Sequence, residues 1–120
     1  KQTEHYVNIP HHGHIDNIPA EWAVEMTCLI GREGATPHPR VTHFDDKVLG
    51  LIHTIKGFEI AASRAALSGE FNDVLLALNL SPLVHSDGDA EVLAREMLLA
   101  HEQWLPNFAA TLARLKHQQA

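Results

Sequence analysis

Apolar residues recur with a period of two up to about residue 40 and with a period near 3.6 beyond it. This one change constrains the fold more than any other feature. Strand side chains alternate between two faces, whereas helical ones return to a face every three or four residues. The chain therefore reads as strands first and helices after, an α+β arrangement. His5–Ile9 alternates and is stopped by Pro10. Residues 10–21 hold two prolines, a glycine and three histidines and read as a loop. Trp22–Ile30 is the clearest strand: Trp22, Val24, Met26, Cys28 and Ile30 point one way, and Ala23, Glu25, Thr27 and Leu29 the other. Gly31-Arg32-Glu33-Gly34 is a turn, and Ala35–His38 a short return strand. Pro37 and Pro39 lack the amide that a central strand donates, which places this return strand at an edge.

About four helices follow. Val48, Leu51, Ile52, Ile55, Phe58, Ala62, Ala65 and Ala66 share one helical face. Asp45 or Asp46 can cap its start, and Gly69 is a suitable stop. Gly57 sits inside this helix at a cost of about 1 kcal/mol relative to alanine, which suggests a close helix contact. A second helix, about Glu70–Asn79, is ended by Ser81-Pro82. Ser86-Asp87 opens a third, about Asp89–Trp104, with Leu93, Met97, Ala100 and Trp104 in line. Pro106 breaks it and starts a last helix, whose apolar face is Phe108, Leu112 and Leu115. The helical stripes serve as core, as an interface to a further domain, or as oligomer contacts.

At 120 residues the chain suits one domain or part of one. It begins with Lys1 rather than Met, as a processed or cut chain does. A formal charge of −6 argues against binding a nucleic-acid backbone, which needs a basic face. No apolar run is long enough to span a membrane, and no signal-like region opens the chain. The single cysteine, Cys28, excludes an internal disulfide and suits a reducing, cytoplasmic setting.

Ten histidines are an unusual share. His11, His12 and His14, with His5 nearby, form the best candidate metal site. Imidazole suits zinc, nickel or copper, and manganese least. The alternatives are a polar surface loop, or a loop at an active-site rim or subunit interface. Cys28 reads either as a small buried hydrophobe or as a reactive thiol. Glu25 is a possible general acid, but an acid of that kind needs a partner carboxylate at a defined distance. Lys56 and Glu59 are spaced as a helix surface pair. Ser86, Asp87, Gly88 and Asp89 slightly resemble a calcium loop, but they lack its distal glutamate and suit helix capping better.

Residues 7–37 also carry a longer pattern, in Val7, Asn8, Gly13, Ile15, Pro19, Val24, Glu25, Cys28, Ile30, Gly34 and Pro37. It resembles a segment late in glycoside hydrolase family 4, with His11 standing where that family often has Asn. The likeness continues through Lys56, Phe58, Glu59, Ala65, Ala66, Gly69, Glu70, Phe71, Val74, Leu75, Ala77, Leu78, Ser81, Pro82, Leu83 and Val84, and through Leu93 to Pro106. It is most similar to the 6-phospho-β-glucosidase branch. The resemblance implies the back part of a dehydrogenase-like glycosidase, usually oligomeric, acting on a phosphorylated disaccharide. That family uses NAD and manganese to oxidise the sugar at C3, ease loss of the C2 proton and eliminate the aglycone, an exception to the two-carboxylate scheme. The resemblance places the dinucleotide-binding domain, the metal-binding Cys and His and the tyrosine base on polypeptide outside residues 1–120. It therefore assigns no catalytic, cofactor or metal role to any residue here and implies an inactive fragment with a structural role. The rival reading is a standalone histidine-rich metal-binding or protein-interaction module.

Overall fold

The structure, a computed structural model, describes residues 2–38 and 40–118. The expectations attached to Lys1 and Pro39 lie outside the described residues. The chain divides between Leu49 and Gly50 into two compact units.

The first unit holds a three-stranded antiparallel sheet in the order β1 (Thr3–Pro10), β2 (Ala23–Gly31), β3 (Gly34–Pro37). The alternation in β2 decides which face is buried. Val7 lies opposite Met26, Ile9 opposite Val24 and His5 opposite Cys28. Met26 and Cys28 form a core with Ile15 and Ile18 from the β1–β2 connection. Val7, Ile9, Trp22, Val24, Ile30, Phe44 and Leu49 pack around it. The opposite face carries Tyr6 against Thr27 and Asn8 against Glu25. The β2–β3 hairpin closes on the pair Gly31 and Gly34. Gly34 has a φ of +100°, which an L side chain rarely adopts. β3 is an edge strand, as its proline requires.

Helix α1 (Asp46–Ser68) begins as the acidic pair suggests: the Asp45 carboxylate accepts from the Lys47 amide at 2.9 Å. Its expected apolar face is only partly covered. Ala65 is buried, but Val48 and Leu51 are exposed. A Cβ added at Gly57 meets nothing within 4 Å, so the close contact expected there does not form among the described residues.

The second unit adds α2 (Phe71–Leu80), α3 (Asp87–Ala100) and α4 (Ala109–His117). Ser86 caps α3 by accepting from the Asp89 amide at 3.1 Å, which gives the Ser86–Asp89 cluster its role at a helix start. α3 ends earlier than expected. His101 leaves helical geometry, and Glu102–Trp104 forms a separate 3₁₀ turn. Pro106 opens a second 3₁₀ turn rather than α4 itself. The core is Leu98, Phe108, Leu112 and Leu115, flanked by Phe71, Val74, Leu99 and Leu105. The expected face of α4 is therefore the buried one. The expected stripe of α3 is not: Leu93, Met97 and Trp104 are exposed, and Ala90, Ala94 and Leu98 are buried instead.

Gly69 joins α1 to α2 at a φ of +70°. A Cβ there would lie 1.9 Å from the Asn107 carbonyl oxygen. This close approach brings three long-range bonds together. Asn107 Nδ2 donates to the Ala66 carbonyl at 3.0 Å, Thr111 Oγ1 to the Gly69 carbonyl at 2.7 Å, and Arg114 to Glu70 at 3.1 Å. One of the loose carbonyls at the end of α1, that of Ala66, is satisfied in this way.

Candidate functional site

The histidine-rich connection between β1 and β2 is the most constrained polar structure in the first unit. His11 lies at the end of β1 and is fully buried. Its Nδ1 accepts two amides, Gly13 N and Ile15 N, each at 3.2 Å. Its Nε2 lies 2.7 Å from the Pro19 carbonyl oxygen. A nitrogen that accepts two amides carries no proton, so this pattern assigns the Nε2–H tautomer, with Nε2 as the donor. The ring thus spans the connection from one side to the other. His11 N to Trp22 O at 3.1 Å, His12 N to Ala20 O at 3.0 Å and His14 N to His11 O at 2.9 Å complete the turn.

Such geometry makes the chain bend sharply after His11. His12 has a φ of 49°, uncommon for a residue other than glycine, and Gly13 follows at 84°. The side chains of His12 and His14 are exposed, unlike that of His11. The three histidines sequence reasoning grouped as metal ligands are therefore not brought to one point. His11 has no nitrogen left for a metal, and the described residues contain no group of three or more His, Cys, Asp or Glu side chains placed to hold an ion. The alternative of a polar surface loop also fails for His11, whose ring is structural.

The same turn is tied to the segment leading into α1. Asn17 Nδ2 donates to the Phe44 carbonyl at 2.8 Å, and the Phe44 amide donates back to Asn17 Oδ1 at 3.0 Å. His43 Nδ1 lies 2.6 Å from Asp16 Oδ1, both side chains being mostly exposed. The sequence offered no sign of these pairs, since the partners are 27 residues apart.

The other candidates fall in ordinary places. Cys28 is fully buried in the sheet core, as a small hydrophobe. Glu25 is exposed on the far face, at a cavity of about 260 Å³ also lined by Tyr6, Ile15, Met26, Thr27, Arg40, Val41 and Phe44, none of them a carboxylate. Lys56 and Glu59 form the expected pair at 2.5 Å. Sequence reasoning missed a charged cleft of about 300 Å³ in the second unit, where Glu70, Glu91, Arg95, Arg114 and Gln118 meet. Each arginine there has a glutamate partner, at 3.7 Å for Arg95–Glu91 and 3.1 Å for Arg114–Glu70, so the cleft presents balanced charge.

Against known proteins, a family profile described as the family 4 glycosyl hydrolase C-terminal domain matches residues 1–84. A 6-phospho-beta-glucosidase of Escherichia coli (strain K12) is 85% identical over 116 residues, which are 97% of this chain and 26% of that protein. A probable 6-phospho-beta-glucosidase of Bacillus subtilis (strain 168) is 40% identical, over 85% of this chain and 23% of the relative. Among solved structures, the 6-phospho-beta glucosidase from Thermotoga maritima with manganese, NAD+ and glucose-6-phosphate matches with a TM-score of 0.77 at 27% identity, over 88% of this chain and 26% of that one. A 6-phospho-alpha-glucosidase from gut microorganisms, in complex with NAD and Mn2+, shares the fold with a TM-score of 0.79 at 22% identity, over 87% of this chain and 24% of that one. The chain spans about a quarter of the length of these relatives.

Proposed function

Because the chain belongs to the C-terminal domain family of the family 4 glycosyl hydrolases, we propose that it is the back part of a 6-phospho-β-glucosidase. The observation that carries this reading is the 85% identity to the E. coli enzyme across 97% of the chain. In this reading the complete enzyme hydrolyses a phosphorylated β-glucoside in the cytoplasm, as an oligomer. NAD supplies reversible oxidation of the sugar, and a divalent metal supplies stabilisation of negative charge on its oxygens.

The described residues do not fit either group. A dinucleotide site of the common type needs a glycine-rich turn between a strand and a helix. The passage from β3 into α1, residues 38–45, contains no glycine. His11 is saturated by backbone groups and Cys28 is sealed in a core. We therefore assign no catalytic, NAD-binding or metal-binding role to the described residues, which in this reading act as scaffold beside a dinucleotide-binding domain carried on other polypeptide. The reading as a standalone histidine-rich metal module loses its central ligand for the same reason.

The test is to express the whole gene product and this chain separately and assay both with a chromogenic 6-phospho-β-glucoside, NAD and manganese. Turnover by the whole product alone, lost on removing either addition, is the expected result. An inactive whole product, or turnover by residues 1–120 alone, overturns the reading.

A further inference from the structure

The sheet of the first unit ends on an open strand. β1 is eight residues long, pairs with β2 on one side and has no described strand on the other. The register fixes which of its groups point away. The His11 amide donates to the Trp22 carbonyl at 3.1 Å, and hydrogen-bonded pairs alternate along an antiparallel ladder. Thr3, His5, Val7 and Ile9 are in phase with His11 and face β2. Glu4, Tyr6 and Asn8 therefore turn their amides and carbonyls outward. Thr27, opposite Tyr6, agrees: its carbonyl is engaged on the β3 side, by the His38 amide at 2.8 Å. All three outward residues are exposed, Tyr6 at 67%, and among the described residues no backbone bond outside the β1–β2 ladder reaches them. Such an edge is a template for another strand, which proteins blunt with bulges, lysines or prolines. β1 has a continuous register, no lysine, and a proline only at its far end.

We infer that a second copy of the chain adds its own β1 to this edge, antiparallel and about a two-fold axis, so that two three-stranded sheets become one. The inference supplies an interface for the oligomer proposed above, and it rests on that reading only for there being an oligomer. The outward set itself selects the occupant. A two-fold contact requires a surface complementary to itself. An axis at Tyr6 maps Glu4, Tyr6 and Asn8 onto one another: Tyr6 meets Tyr6, Glu4 meets Asn8, and every outward amide and carbonyl finds a partner. The neighbouring registers fail. An axis nearer Thr3 sets Glu4 against Glu4 or carries Asn8 past the start of the strand. One nearer Pro10 sets an outward residue against a proline, which has no amide. On the other face Val7 and Ile9, half-buried at the edge, come opposite the partner's His5 and the partner's Thr3. Tyr6 against Tyr6 is a favourable cross-strand aromatic pair.

The test uses the whole gene product, numbered as this chain. Its molar mass is followed by light scattering through a dilution series, and amide exchange at Tyr6 by mass spectrometry with fragment-level resolution. The parent is expected to self-associate and to slow exchange of the Tyr6 amide at least about 10-fold relative to the unfolded chain. Tyr6→Lys and Tyr6→Glu each set like charges face to face and should weaken association at least about 5-fold. An equimolar mixture of the two should recover it, because lysine then faces glutamate, a result that general damage to β1 does not give. A monomeric parent, variants that associate as the parent does, a mixture no tighter than either variant, or a Tyr6 amide that exchanges freely overturns the inference. Protection of position 6 that persists in a monomeric variant also overturns it, since it gives the edge to a strand of the same chain. An oligomer untouched by the Tyr6 variants faults the interface alone, and the phospho-β-glucosidase assay reports separately on the enzyme reading, so the failures are distinguishable.

Discussion

The two units solve the problem of burying a short chain in opposite ways. In the first, large apolar side chains face inward from a sheet, and a polar ring, His11, is buried just beyond β1 with both nitrogens satisfied. In the second, alanines take many of the inner positions: Ala61, Ala65, Ala77, Ala90 and Ala94 are buried while Leu67, Leu76, Val92 and Met97 are exposed. Burial therefore follows geometry before hydrophobicity. Small residues let helix backbones approach closely, and several larger ones face outward, while Leu98, Phe108, Leu112 and Leu115 fill the core between them. The first unit is organised around one hydrogen-bonded turn, the second around one helix junction.

The strongest way to break this comparison is at that junction. Gly69→Val places a branched side chain at positive φ and against the Asn107 carbonyl. A loss of about 4 kcal/mol is expected, measured by urea unfolding followed by far-ultraviolet circular dichroism. A loss under about 1 kcal/mol would show that the junction is not the organising feature.

Next in size is His11→Ala. It strands the Gly13 and Ile15 amides and the Pro19 carbonyl and empties a packed space, for an expected cost of about 3 kcal/mol. His11→Asn, the residue the family often has there, should recover part of that cost, since its carboxamide can still accept an amide. Amide exchange across residues 11–22 is the local readout. Equal protection in His11→Ala and the parent would remove His11 from the account.

Thr111→Val should cost about 1–2 kcal/mol, because the Gly69 carbonyl loses a buried 2.7 Å bond while side-chain volume is kept. The smallest effect sharpens the contrast. Met97→Ala should change the stability of residues 1–120 by no more than about 0.5 kcal/mol, although Leu112→Ala on the buried face of α4 should cost about 2–3 kcal/mol. Similar losses for the two would mean that Met97 is packed in the isolated chain.

Much of the fold was legible in the residues. Alternation from Trp22 to Ile30 names the buried face of β2, the proline at position 37 places β3 at an edge, and Asp45, Ser86 and Gly69 mark helix ends. Two things were not. The periodic stripe Leu93, Met97, Trp104 reads as a core face, yet the face chosen is the one carrying Ala90 and Ala94. Periodicity finds a stripe, but not which neighbour comes close enough to cover it. The burial of His11 was equally hidden, because a polar residue in a loop gives no sign that backbone groups up to eight residues away will saturate its ring. Gly69 shows the same gap between local and distant information. Its role as a stop is local, but its collision partner, Asn107, lies far along the chain.

The complete burial of Cys28 has a practical consequence. With no other thiol in these 120 residues, colour release from a disulfide reagent can come from that one sulfur only. The reagent must wait for the sheet to part, so in excess reagent its rate counts openings of the first unit, an intrinsic stopwatch that needs no label.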